Sequence, residues 1–349
     1  MHVEETKVIK ILFLLNNLPG YFEGGITHLL NVSKAEVLVC KEKDDSKAPF
    51  ENFIPQHLLL NKEDFCTEDL LNTFISFNPK ICYVTGWKSK QYLKIVHKLK
   101  KSGVTIVSGL DNPWRGDFRQ RVGMLLSQML KNRYFDYIWV SGMSQYQFAK
   151  GLGFKKERIL KNLYIADTAN FSVSKDVYSK KILFVGRLEK EKNIELLVQC
   201  FGNLTEEERN GWMLTIIGNG SLKQNITDKP YIVVKSFMQP SELQTEIVDA
   251  GAFILPSRYE PWGVVVQEFA MAGLPLILSD KVNAGEEYLI NGYNGYSFKY
   301  NNMDSLKKGM IKIFNSSEDQ LKEMGMRSKK LASRNDYEIW ANTLLSVLS

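Results

Sequence analysis

Two glutamates, Glu260 and Glu268, stand eight positions apart in the stretch AFILPSRYEPWGVVVQEFAMAGLPLILSDKVNAGEE (252–287), with Gly263 and Val264 between them. Carboxylates bind phosphate poorly but accept hydrogen bonds from sugar hydroxyls well. Gly263 lets backbone come close to a ligand, and free N–H groups at the start of the helix-like sequence that follows would face an anion. A second cluster lies upstream. The apolar run KILFV ends at Gly186, and Arg187 and Lys192 follow five positions apart, ahead of another helical pattern. Arg offers a planar fork for phosphate oxygens, and Lys a compact charge. Cations and amides for a diphosphate, with acids for hydroxyls, suit a nucleotide-sugar. The plainer reading of Arg187 and Lys192, inside the charge-rich LEKEK, is a solvated helix start; the motif downstream tips the balance toward a phosphate site.

The 252–287 stretch resembles the donor-binding motif of the retaining glycosyltransferases of family 4, which have the GT-B fold. That motif is a Glu, seven intervening residues and a second Glu, here Glu260 and Glu268. Glu-Pro-Trp-Gly stands where the family often has Glu-Pro-Phe-Gly, and the flanking Leu-Pro-Ser and Ala-Gly-Leu-Pro-Leu-Ile extend the match. The resemblance covers nearly all of the C-terminal half, and the N-terminal half only in layout. It implies an α/β chain of two Rossmann-like, doubly wound domains facing across a cleft. It also implies a metal-independent transfer from a UDP-sugar or GDP-sugar to a glycan, lipid-linked or other acceptor, with no cofactor.

Residue by residue, the resemblance assigns Arg187 and Lys192, next to Gly186, to the donor diphosphate. Glu260 would hold hydroxyls of the transferred sugar, and Glu268 those of the ribose. Gly24 and Gly25 match a glycine-rich loop over the donor phosphates and the acceptor. Gly218 and Gly220 match a loop beside the nucleotide, although Ser221 replaces the proline that often follows. Residues 236–238 fall where relatives contact the base, and Gly285 lies in a turn that faces the donor. Many relatives carry a histidine where this chain has Asp111 and Asn112, so Asp111 would take that place. Each of these has a structural alternative: a turn for Gly24–Gly25 and for Gly218–Gly220, a helix N-cap for Asp111, and helix capping for Glu286 and Glu287.

These residues need rigid elements to hold them. Strand-like runs fall at 7–16, 35–40, 81–85, 104–109, 136–141 and 158–164, with helical patterns at 88–101, 116–133 and 143–150. Gly24 and Gly25 are expected to open a helix after the first strand, and 41–65 reads as a charged, irregular surface region. The second half repeats the theme, with strands at 181–186, 213–217, 231–235, 252–256, 274–278 and 295–299. Helices are expected near 193–203, 241–249, 264–272 and 305–315. Alternation of this kind predicts parallel, doubly wound sheets. The polar, aperiodic stretch 165–180 marks a seam. The expected domains are therefore 1–165 for the acceptor, 166–333 for the donor, and a final helix, 334–349, returning to the first.

Composition narrows the class. With 349 residues, 44% hydrophobic and 24% charged, the chain has the size of two soluble domains. No apolar run reaches membrane-span length. The acidic pair Glu4–Glu5 precedes the first apolar run and no small-residue cleavage site follows, so no leader is expected. Cys40, Cys66, Cys82 and Cys200 form no C-x-x-C, which points to a reduced, cytoplasmic protein. His2, His28, His57 and His97 have no metal spacing, no D-x-D occurs, and Glu42-Lys43-Asp44 is the nearest approach to one. Residues 1–165 carry 24 Lys and Arg against 16 Asp and Glu, whereas the remainder carries 21 against 23. The basic half suits anionic lipid or a phosphorylated acceptor, or is simply a solvated surface; no aromatic-basic motif supports nucleic acid. The basic amphipathic pattern 116–133 is read either as a helix packed on its sheet or as a peripheral membrane contact. A non-catalytic nucleotide-sugar-binding subunit, and a sugar-phosphate synthase or phosphorylase on the same fold, remain as alternatives.

Overall fold

Apolar residues in both halves come in short unbroken runs, the pattern of parallel strands covered on both faces. In the computed structural model, which describes residues 8–42, 54–175, 177–226 and 229–348, each run contributes a parallel strand. The chain divides into two compact units, Met1–Ile165 with Tyr337–Ser349, and Ala166–Asp336.

The first unit begins with β1 (Ile9–Leu15), α1 (Gly20–Val32), β2 (Ala35–Lys41) and β3 (Leu59–Asn61). There follow α2 (Thr67–Phe77), β4 (Ile81–Val84), α3 (Lys90–Lys101), β5 (Thr105–Leu110) and α4 (Phe118–Tyr134). It continues with β6 (Tyr137–Val140), α5 (Met143–Gly151) and β7 (Ile159–Leu160). All pairings in the sheet, ordered β3-β2-β1-β4-β5-β6-β7, are parallel. Side chains alternate along β1, so Ile11, Phe13 and Leu15 enter one core, and Leu12 and Leu14 the other. Residues 43–53 of the expected irregular region lie outside the described residues.

The second unit runs α6 (Thr168–Phe171), β8 (Lys181–Val185), α7 (Ile194–Gly202), α8 (Glu206–Arg209), β9 (Met213–Ile217) and β10 (Ile232–Lys235). Next come α9 (Pro240–Ile247), β11 (Ala252–Leu255), α10 (Val264–Met271) and β12 (Leu276–Ser279). It closes with α11 (Gly285–Tyr288), β13 (Gly295–Phe298), α12 (Met303–Phe314) and α13 (Glu318–Ala332). Its parallel sheet is ordered β10-β9-β8-β11-β12-β13. The strand order therefore reverses between β8 and β11, and the crevice beyond their carboxyl ends is where open α/β sheets bind ligands.

The last helix, α14 (Tyr337–Leu345), belongs to the first unit. Its Trp340 is buried, stacks on Phe13 at 6.2 Å between ring centroids, and meets Trp139 at 5.0 Å. The Trp340 Nε1–H donates to the Leu163 carbonyl at 3.0 Å, so the ring is both packed and satisfied. This helix corrects the reading of Gly24 and Gly25. They lie inside α1 instead of opening it, and a Cβ on Gly25 would come 3.0 Å from the Trp340 ring. On Gly24 it would collide with the Tyr337 ring. Close approach of α1 and α14 accounts for both glycines.

Candidate active site

Gly186 directly follows β8, and the turn it opens is locked to the turn beyond β9. The Gly186 N–H donates to the Ile217 carbonyl at 3.1 Å, the Leu188 N–H to that of Asn219 at 2.8 Å, and the Leu222 N–H to that of Leu188 at 2.9 Å. Gly218 and Gly220 lie so close to this neighbour that a Cβ on either would strike the carbonyl of Gly186 or Leu188. Their lack of side chains lets the two loops interlock. Lys223 bridges onward, donating to Asn219 Oδ1 at 3.2 Å and to Ser236 Oγ at 2.9 Å.

Lys192 is set by its successor. Asn193 takes a left-handed φ of 58° and is buried. Its Nδ2 donates to the carbonyls of Pro256 (3.1 Å) and Tyr300 (2.9 Å), and its Oδ1 accepts from Arg258 Nε at 2.6 Å. The Arg258 N–H donates to the Glu191 carbonyl at 2.8 Å. The loop after β8 is thus tied to the loop after β11, and Lys192 forms an ion pair with Glu260, 68 residues away. The two side chains are only 12% and 11% exposed. Ser257 Oγ adds a hydrogen bond to Glu260 Oε2 at 3.1 Å, and Ser279 Oγ holds the Ser257 carbonyl in turn. The Glu260 backbone is held by Lys281 and Asn283. The pair therefore sits at the strand-order reversal on a fixed frame.

Gly263 caps α10 with φ 97°, and a Cβ there would lie 2.9 Å from Glu260 Cγ. Only glycine meets both demands. The N–H groups of Val264 and Val265, in the first turn, have no acceptor among the described residues. The loop after β11 thus carries the carboxylate that pairs with Lys192, followed by open amides at the positive end of a helix.

Other expected residues have different surroundings. Arg187 is 56% exposed and pairs with Glu191 at 2.9 Å instead of with Glu260. The Glu268 carboxyl, on α10, has no hydrogen bond among the described residues; burial pushes it up to about 7, and the Asp167 carboxylate adds to the shift. The Gly285 N–H is taken by the Val282 carbonyl at 3.0 Å, so that turn satisfies its own amides. In the first unit, Asp111 caps no helix. Asp117 caps α4, accepting from the Gln120 N–H at 2.8 Å. Asp111 instead accepts from Tyr164 Oη at 3.4 Å and from Asn112 Nδ2 at 3.1 Å, and its carbonyl from Gln145 Nε2 at 2.9 Å. Of the 116–133 pattern, the side chains of Arg119, Leu125, Leu126, Met129, Leu130 and Lys131 lie outside the described residues. Among the described residues no group of three or more His, Cys, Asp or Glu is placed to hold a metal. Asn193, Ser257 and Ser279 escaped sequence reasoning; an asparagine directly after Lys192, a residue type tolerant of positive φ, was the available signal.

Residues 166–331 match the family model for glycosyl transferases group 1. An uncharacterized glycosyltransferase of Methanocaldococcus jannaschii is 31% identical over 161 residues, 44% of this chain and 40% of that protein. A glycogen synthase of Mycobacterium tuberculosis is 28% identical over 174 residues, 48% of this chain and 42% of that one. The match therefore spans less than half the length of these curated relatives. Among solved structures, Anabaena HepE in complex with UDP superposes with a TM-score of 0.75 at 14% identity, covering 97% of this chain and 99% of that one. The lipopolysaccharide outer core galactosyltransferase WaaB does so with 0.68 at 16% identity, over 97% and 99%. An Escherichia coli protein bound with UDP-2-fluoro glucose gives 0.73 at 12%, over 97% and 98%. These likenesses establish the fold.

Proposed function

We propose that this chain, whose residues 166–331 form a glycosyl transferases group 1 domain, is a retaining glycosyltransferase. It would move a sugar from a UDP-sugar or GDP-sugar to a glycan or lipid-linked acceptor. The observation that carries the reading is the buried Lys192–Glu260 pair beside the open amides of Val264 and Val265, at the reversal between β8 and β11. The solved relatives bound with UDP or UDP-2-fluoro glucose support the donor class.

The chemistry asks for stabilised negative charge on the departing diphosphate. Lys192 supplies a fixed cation, and the amides of α10 fixed dipoles, so little reorganisation accompanies the reaction. Among the described residues Arg187 is held only by an exposed pair with Glu191, a contact of low worth that leaves the guanidinium able to turn onto a phosphate. These groups neutralise the diphosphate without a metal ion. Glu260, already paired with Lys192, accepts from hydroxyls of the transferred sugar, and Glu268 from those of the ribose. The bond between the sugar's anomeric carbon and the phosphate oxygen breaks as the acceptor oxygen bonds to the same face. The acceptor's proton passes to the departing phosphate oxygen, so no side chain acts as base.

A thermal-shift screen of nucleoside mono- and diphosphates, followed by transfer assays with and without a chelator, tests this. Stabilisation by UDP or GDP, with transfer or slow donor hydrolysis that survives chelation, is the expected result. No response to any diphosphate refutes the donor site, and binding without transfer or hydrolysis makes the chain a binding subunit.

A further inference from the structure

The carboxyl edge of the first unit's sheet carries a polar cluster whose chemistry is opposite to that of the cationic site in the second unit. Tyr83, on β4, is buried in the core with Phe13 and Trp139. Its Cα is in register with Val107 of β5, yet its hydroxyl reaches up to Gly109, where a Cβ would collide with it. The ring therefore leans along the strand toward the carboxyl edge, and its hydroxyl is within hydrogen-bonding reach of Thr85.

Asp111 directly follows β5 at that edge. Its carbonyl is pinned by Gln145, and its carboxylate receives hydrogen bonds only from Tyr164 and Asn112 among the described residues. A carboxylate has room for about four. No ion pair holds Asp111 among the described residues. Tyr21 meets Tyr164 edge-on at 5.3 Å between ring centroids, and both rings are half-buried. Ser141 follows Val140, the register partner of Leu110, so it adjoins Asp111. Its Oγ is buried without a hydrogen-bond partner among the described residues. Burial first, then the Asp111 carboxylate, holds the Tyr83 phenol well above its usual range; burial, then Tyr21 and Asp111, does the same for Tyr164. Both phenols therefore stay protonated.

The cluster offers hydroxyls, aromatic rings and one carboxylate, and none of its members is a base. A phosphate would meet repulsion from Asp111 with no cation to offset it. Sugar hydroxyls suit an unfilled carboxylate and neutral phenols, and the C–H face of a sugar ring suits the apolar bodies of the tyrosines.

We propose that the edge formed by Tyr21, Tyr83, Asp111, Ser141 and Tyr164 binds an uncharged sugar, and that the acceptor is accordingly the unphosphorylated sugar end of a glycan. The acceptor role rests on the transferase reading above; the binding of a neutral sugar does not.

The test is saturation-transfer NMR titration of the full chain with methyl glycosides of glucose, galactose, mannose and N-acetylglucosamine and with their 6-phosphates, followed by transfer assays that offer each as acceptor. At least one neutral glycoside is expected to bind and to accept sugar, with affinity about tenfold or more above that of its 6-phosphate. Asp111→Ala is expected to weaken that binding about tenfold or more, the worth of a hydrogen bond to a charged group. Asp111→Asn keeps the shape without the charge and is expected to bring the 6-phosphate within about threefold of the neutral sugar. Tyr164→Phe is expected to cost about threefold to tenfold. Thermal unfolding like the parent's confirms folded variants, and Asp111→Asn with Tyr164→Phe decides the matter should Asp111→Ala not fold. A parent that prefers the 6-phosphates, a parent that binds none of these sugars, or variants with the parent's affinity and preference overturn the proposal. Such a failure with donor hydrolysis intact leaves the transferase reading standing. Sugar binding with no response to any nucleoside diphosphate overturns that reading and leaves this site.

Discussion

Replacing Lys192 by Met keeps the stem and removes the charge, leaving Glu260 buried without its cation. The two side chains are 12% and 11% exposed, so little water is available to take the ammonium's place. Breaking a buried pair from one side costs about 3–5 kcal/mol. The Ser257 hydrogen bond to Glu260 remains, which places the expected loss near the low end, about 3 kcal/mol. For a unit the size of residues 166–336 that is a fall in Tm of roughly 6–12 °C. Glu260→Gln is expected to destabilise similarly, because Lys192 is then the stranded charge. The double variant should recover most of the loss, since neither charge is left buried alone. Turnover behaves differently: Lys192→Met should lose on the order of 10²-fold or more, by analogy with removing one preorganised donor, and the double variant should not regain it. Urea unfolding of the four proteins yields the coupling, and donor hydrolysis or transfer yields the rates. Single losses below about 0.5 kcal/mol that simply add in the double variant would refute the reasoning.

Three further outcomes are expected. Gly263→Ala meets both the positive φ of 97° and the Glu260 side chain 2.9 Å away, so thermal unfolding should report a loss of about 1–3 kcal/mol, with turnover falling as Glu260 is displaced. Asn193→Ala removes bonds to Pro256, Tyr300 and Arg258 inside a buried loop, and should cost about 2 kcal/mol or more by urea unfolding while weakening the Lys192–Glu260 site. Burial first, then Asp167, raises the Glu268 carboxyl from 4.5 to about 7, so the folded state holds a proton that the unfolded chain releases. That contribution to stability is complete below 4.5 and is lost as pH rises through about 7. Unfolding profiles of the parent should therefore fall across that window relative to those of Glu268→Gln, and nucleotide affinity should rise across it as the carboxylate becomes an acceptor for hydroxyls.

Much of the architecture was legible because parallel strands bury both faces and so appear as unbroken apolar runs, as in 182–185 and 252–255. Strand β3 escaped because three half-buried residues at a sheet edge leave no run to see. Helix α13 escaped although Ser317 and Gln320 form a capping box, because its sequence is strongly charged and its packing is tertiary. There Gly325 lies against the Gly273 backbone, a contact that no local pattern records. In the site, residue types and spacing pointed to Lys192, Glu260 and Gly263, since each serves a chemical need that few residues meet. What they could not convey is the pairing of Lys192 with Glu260, which depends on two loops from strands adjacent in space and distant in sequence. The same gap misplaced Gly24 and Gly25, whose neighbours Tyr337 and Trp340 lie at the other end of the chain.

Calorimetric titration of UDP and UMP into the parent and into Lys192→Met addresses the diphosphate site itself. The account predicts that the parent binds UDP more tightly than UMP, and that this preference collapses in the variant while UMP binding is largely kept. A variant that retains the full preference for the diphosphate would contradict it.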